Sequence, residues 1–135
     1  MSAKSMILAG GIYHVAGAIY HLMFWKLFRW KEDLASLSII NRAVMQILNL
    51  CLTFVFLIFA YISIFHAAEL LTTGIGKALL LLIAMFWFLR AIEQIVFFRL
   101  KKKRSMTLFA VFVIGAMIYL YPFIAGFEAA TVSGR

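Results

Sequence analysis

The 135-residue sequence is 66% hydrophobic and 13% charged, against roughly 45–50% and 25% in ordinary soluble domains. A water-soluble globular monomer is excluded. A formal net charge of +8 would suit a nucleic-acid partner only if the basic residues lay on a soluble face, and here they flank apolar runs, so no nucleic acid is expected. One cysteine, Cys51, allows neither an internal disulfide nor a cysteine-based metal site, and its role is not readable.

In chain order, four apolar segments stand out at about 6–27, 42–66, 76–98 and 106–127. Each is long enough to cross a hydrocarbon core of about 30 Å. Backbone polar groups must be paired within a bilayer, so segments of this kind are expected to be helices despite their Ile, Val and Phe content. The predicted fold is a single all-α domain, a four-transmembrane-helix bundle filling residues 1–135. Ser38 and Asn41 precede the second span, Thr72, Thr73 and Gly74 the third, and Ser105 can cap the fourth. Pro122 is the only proline within a span.

The first span is interrupted by Tyr13, His14, Tyr20 and His21 and lacks a small-residue cleavage signal, which predicts a retained helix rather than a leader. The following stretch, 25–38, mixes Trp25, Phe28 and Trp30 with Lys26, Arg29 and Lys31, as an interfacial anchor does. Basic residues divide unevenly. Lys26, Arg29, Lys31, Arg42, Arg99, Lys101, Lys102, Lys103 and Arg104 fall on one side, and Lys4, Lys77 and Arg135 on the other. The positive-inside rule then places both termini outside the cytoplasm. The chain is expected to be a multi-pass protein of a bacterial cytoplasmic (inner) membrane, with Lys101, Lys102, Lys103 and Arg104 meeting anionic lipid headgroups.

Polar residues within the spans carry the functional signal, because charged side chains in hydrocarbon cost about 2.5–3.5 kcal/mol each on insertion scales. Gly10, His14, Gly17 and His21 lie on one face of the first helix. Arg42, Gln46, Asn49 and Thr53 follow the same spacing on the second, Arg90, Glu93 and Gln94 share a turn of the third, and Gly115, Tyr119, Pro122 and Gly126 line the fourth. At about 1.5 Å per residue, His21 lies about 21 Å below the outer start of its span and Arg90 about 20 Å below Lys77, while Asn49 lies about 10 Å above Arg42 on a helix running the other way. His21, Gln46, Asn49, Arg90, Glu93 and Gln94 are therefore expected to share one layer near the cytoplasmic side. That layer is read as a ligand-binding pocket, with His14, His66 and Tyr119 as secondary candidates. Tyr13, Tyr20, Trp25 and Trp87 are read as lipid-facing or interfacial. The bland alternative is a polar clamp that holds the helices together.

Four functional readings follow. The first is a transporter or binding protein for a small anionic solute, ion or proton, with Arg90 attracting the anion and Glu93 or His21 exchanging protons; one bundle is thin for a pathway, so a homo-oligomer is expected. The size and span count resemble the small multidrug resistance transporters, but their essential acidic residue belongs on the first helix and this first helix has none. The second is a membrane-embedded transferase or lipid-modifying enzyme. The span number and termini are similar to those of the glutathione-using membrane enzymes of eicosanoid metabolism, and NRAVMQILN over 41–49 loosely resembles their second-helix motif without its acidic member. The third is a non-catalytic assembly subunit. The fourth is a b-type haem protein, which needs two histidines at matched depth on different helices, and His14 and His66 are poorly matched. No cofactor or metal site is expected otherwise, and no nucleotide-binding glycine loop, HExxH or GxSxG motif occurs.

Overall fold

A computed structural model describes residues 2–133, with side chains described as far as residue 126. Its described residues are helical throughout their ordered elements, and four helices are long and apolar enough to cross a membrane. We number these α1 (Ala3–Leu22), α2 (Ile39–Phe65), α3 (Gly74–Glu93) and α4 (Lys103–Ser133). Three of them start at hydroxyl caps. Ser2, Ser38 and Thr73 accept hydrogen bonds from the amides of Ser5, Asn41 and Gly76 at 3.1, 3.3 and 2.9 Å, so each satisfies one amide that has no partner within its helix.

The helices form two hairpins, α1 with α2 and α3 with α4, joined through α1 against α4. By contrast, the backbones of α2 and α3 hardly approach one another. Aromatic side chains bridge the space instead, Phe56 stacking on Trp87 at 5.4 Å and Phe59 meeting Phe86 at 5.8 Å. Glycines set the close approaches elsewhere. A Cβ on Gly10 would stand 2.5 Å from the Tyr119 hydroxyl, and one on Gly115 would stand 2.8 Å from the Trp87 ring. Large side chains on α3 and α4 thus rest directly on backbone of the facing helix.

Polarity is arranged with the apolar surface outward. Ile39, Phe54, Phe88 and Met117 are exposed, whereas His14, Asn49, Thr53, Ser63, Gln94 and Ser105 are buried. Water would select the opposite arrangement, and a lipid solvent accounts for this one. The predicted seams of α1, α2 and α4 face inward, since His14, Asn49, Thr53, Gly115, Tyr119 and Pro122 are buried and Gly17, His21 and Gln46 are half-buried, while on α3 Gln94 is buried and Arg90 and Glu93 are half-buried.

Several expected boundaries shift. The first helix ends at Leu22 rather than continuing to 27: Met23 caps it, a short turn covers Phe24–Leu27, and Arg29 takes a left-handed conformation at φ 47°. The chain then folds back through Trp30–Asp33 and Leu34–Ser36, burying Trp30 and Leu34. Arg42 holds this segment, donating from Nε to the Leu34 carbonyl at 3.0 Å and from Nη2 to the Ala35 carbonyl at 2.9 Å. Past α3, the residues Gln94–Phe98 widen into a π turn, and Arg99 follows at φ 55°. Ser105 was expected to cap the fourth helix, which instead begins at Lys103; the Ser105 hydroxyl donates to the Arg99 carbonyl and accepts from Gln94 Nε2 at 2.9 Å. The end of the bundle that carries these basic connections is called the basic end below.

Candidate functional site

Two polar assemblies occupy the interior, two helical turns apart along α1. The one farther from the basic end is fully enclosed and draws one residue from each long helix: His14, Ser63, Trp87 and Tyr119. Trp87 Nε1–H donates to His14 Nε2 at 3.0 Å. His14 Nδ1 stands 2.9 Å from both the Gly10 carbonyl and the Tyr119 hydroxyl, which in turn lies 2.7 Å from the Ser63 hydroxyl. Indole nitrogen can only donate and a carbonyl can only accept, so His14 is the Nδ1–H tautomer with both ring nitrogens engaged. Phe56 and Phe59 pack around the ring, and His14, Ser63 and Tyr119 have no exposed surface. Tyr13 adds a further cross-link by donating to the Val111 carbonyl at 2.7 Å. This assembly closes the bundle across its width.

The assembly nearer the basic end is partly open. Asn49 on α2 donates from Nδ2 to the His21 carbonyl at 3.1 Å, which turns its Oδ1 toward His21 Nδ1 at 2.8 Å. Phe24 stacks on the His21 ring at 4.3 Å and Phe56 meets it edge-on at 5.2 Å. One turn along, Thr53 donates to the Asn49 carbonyl at 2.8 Å. On α3, Arg90 pairs with Glu93 and lies over the Phe112 ring of α4 at 5.1 Å, within electrostatic reach of His21. The two charged side chains remain 33% and 34% exposed. They are therefore not sealed into the core.

Of the six residues expected in one layer, the structure brings His21 to Asn49 and Arg90 to Glu93. Gln94 is buried but bonds Ser105 on the far side of the π turn. Gln46 is half-buried on the seam of α2 and makes no side-chain hydrogen bond among the described residues. His66 sits at the opposite end, 3.6 Å from Glu69, away from both assemblies. Two readings need correction. Trp87, expected at the lipid surface, is 3% exposed and supplies a donor in the enclosed assembly, and Tyr13 faces α4 instead of lipid. Ser63 was not singled out. A lone serine in an apolar run carries little signal, although Ser63, Ala60, Phe56, Thr53 and Asn49 share one helical face with the small and polar residues already noted.

Two shallow surface grooves are present, one of about 300 Å³ along Met85, Phe86, Phe88, Leu89 and Ile92 and one of about 190 Å³ beside His66 and Glu69. Neither contains Arg90 or His21. No three His, Cys, Asp or Glu side chains among the described residues gather closely enough to hold a metal ion. A haem ligated by His14 would have to displace Trp87 from Nε2 or break the bonds at Nδ1. The fit is poor. No family model, curated protein or solved structure matches the chain.

Proposed function

We propose that this multi-pass membrane protein binds a small anionic group at its basic end, with Arg90 as the attracting charge. The observation that supports this most is the partial exposure of Arg90 and Glu93, with the half-buried His21 within electrostatic reach of Arg90. An arginine kept at that depth with part of its surface open is a feature that helix packing does not require. On this reading the basic end faces the cytoplasm of a bacterial inner membrane, where the positive-inside rule puts it. Lys101, Lys102, Lys103 and Arg104, all exposed, add attraction for anionic headgroups or solutes approaching from that side. Passage across the membrane would require the enclosed His14 assembly to open, and a transport role would call for more than one copy of this thin bundle.

A specific observation also favours the clamp: among the described residues, every buried side-chain nitrogen and oxygen has a hydrogen-bond partner. The two readings part in a thermal-shift experiment on detergent-solubilised protein titrated with inorganic phosphate and with a short-chain phosphate monoester amphiphile. Binding predicts a rise in Tm for the wild type that disappears in Arg90→Gln and persists in Lys77→Gln. No shift in a folded wild type would leave the clamp standing.

A further inference from the structure

We infer that Nε2 of His21 is an open proton-accepting atom, held ready by Asn49 to receive an O–H or N–H donor. The Asn49 amide fixes the ring. Asn49 makes two contacts with His21, one to the backbone carbonyl at 3.1 Å and one to ring Nδ1 at 2.8 Å. A carbonyl oxygen only accepts, so the amide nitrogen must face it; the reverse orientation would set two oxygens against each other. The amide oxygen then faces Nδ1, and an oxygen accepts too. Nδ1 must therefore carry the hydrogen, which leaves the lone pair of the neutral ring on Nε2.

His14, two turns earlier on the same face, reaches the same tautomer by other partners, and the comparison shows what is special about His21. At His14 the Nε2 lone pair is consumed by Trp87 in a fully buried setting. At His21 no group among the described residues takes it, and the residue is half-buried. Fixing one ring nitrogen through a second residue while leaving the other free is the arrangement that proton-accepting and ligand-accepting imidazoles share. The charged or titratable groups around it are Arg90 from α3 and Tyr20 from its own helix, while α2 and the Phe24 turn present Asn49, Phe56 and Phe24. A protonated acid, such as the monoanion of a phosphate group, matches this setting, with its O–H for Nε2 and its charge for Arg90. That choice of ligand rests on the anion-binding reading; the open lone pair does not.

Nitrogen NMR of protein with labelled histidine, in lipid nanodiscs, tests both parts, with the three histidines assigned by single His→Gln variants. In the wild type, His14 and His21 should both show the Nδ1–H tautomer, and of these two only the His21 Nε2 signal should move when acid or inorganic phosphate is added. Asn49→Ala should release the ring into a mixture of tautomers. A His21 that carries its hydrogen on Nε2, or an Nε2 signal that responds to neither acid nor phosphate, overturns the inference. Response to acid without response to phosphate would uphold the open lone pair and count against anion binding.

Discussion

The indole of Trp87 does two things that belong to different parts of physical chemistry: its ring stacks on Phe56 and Phe112, and its N–H satisfies the one lone pair that His14 cannot share with a carbonyl. The stacking is worth much the same for any large aromatic ring. The hydrogen bond is not. Trp87→Phe keeps most of the buried ring and leaves His14 Nε2 without a donor in a water-free interior, a loss of about 1–3 kcal/mol. The expected result is a clear drop in Tm in detergent, while Trp25→Phe, at a half-buried position whose indole N–H makes no hydrogen bond among the described residues, should leave Tm nearly unchanged. Equal small effects would mean that water reaches His14. The residue pattern had marked His14 and Tyr119, because a histidine and a tyrosine stand out on seams of small residues. It could not mark Trp87, since an aromatic residue in an apolar span looks the same whether it faces lipid or a neighbouring helix. The partner had to be seen.

At the scale of elements, helix number, approximate span and inward face were legible, because a bilayer demands paired backbones over a fixed length and polar residues recur at helical spacing. The ends of α1 and α3 were not. Hydrophobicity runs through Met23 and Phe24 without a break, so nothing in composition announces that α1 stops at Leu22, and the π turn at Gln94–Phe98 carries no glycine or proline to betray it. Both irregularities lie beside the candidate site. One places Phe24 against His21, and the other turns Gln94 toward Ser105 instead of Arg90. The hairpin between α2 and α3 offers a direct test of how tightly the opposite end is built. A Cβ on Gly76 would lie 2.2 Å from the Glu69 carbonyl and 2.5 Å from the Leu70 Cα, whereas one on Gly74 would meet nothing within 4 Å. Because those obstacles are backbone, Gly76→Ala must push the short helix Ala67–Thr72 off α3, at about 1–3 kcal/mol. Gly74→Ala should be neutral to within about 0.5 kcal/mol. Chemical denaturation of the two variants should separate them, and indistinguishable midpoints would show that the end is loosely packed.

For the molecule as a whole, both polar assemblies take their meaning from orientation. The enclosed His14 assembly lies farther from the basic end, and the open His21 and Arg90 groups lie nearer to it. If the basic end faces the cytoplasm, the proposed anion site is offered to the cell interior; if it faces outward, the proposed site is offered to the outside. Nine basic residues flank the spans at one end against Lys4 and Lys77 at the other, Arg135 lying outside the described residues, and short connections carrying lysine and arginine resist translocation. Both termini are therefore expected outside the cytoplasm. In a bacterial host, a reporter active only in the periplasm should work when fused after Arg135, and one active only in the cytoplasm should work when inserted after Lys102. Moving charge should move the molecule, because the bias is set by short connections near span ends: neutralising Lys101, Lys102, Lys103 and Arg104 together, with lysines added near Lys4, should produce a measurable fraction of inverted chains. Reporter activities opposite to these in the unmodified protein would reverse the assignment of sides. The proposed anion site would then have to be probed with ligands supplied from outside the cell.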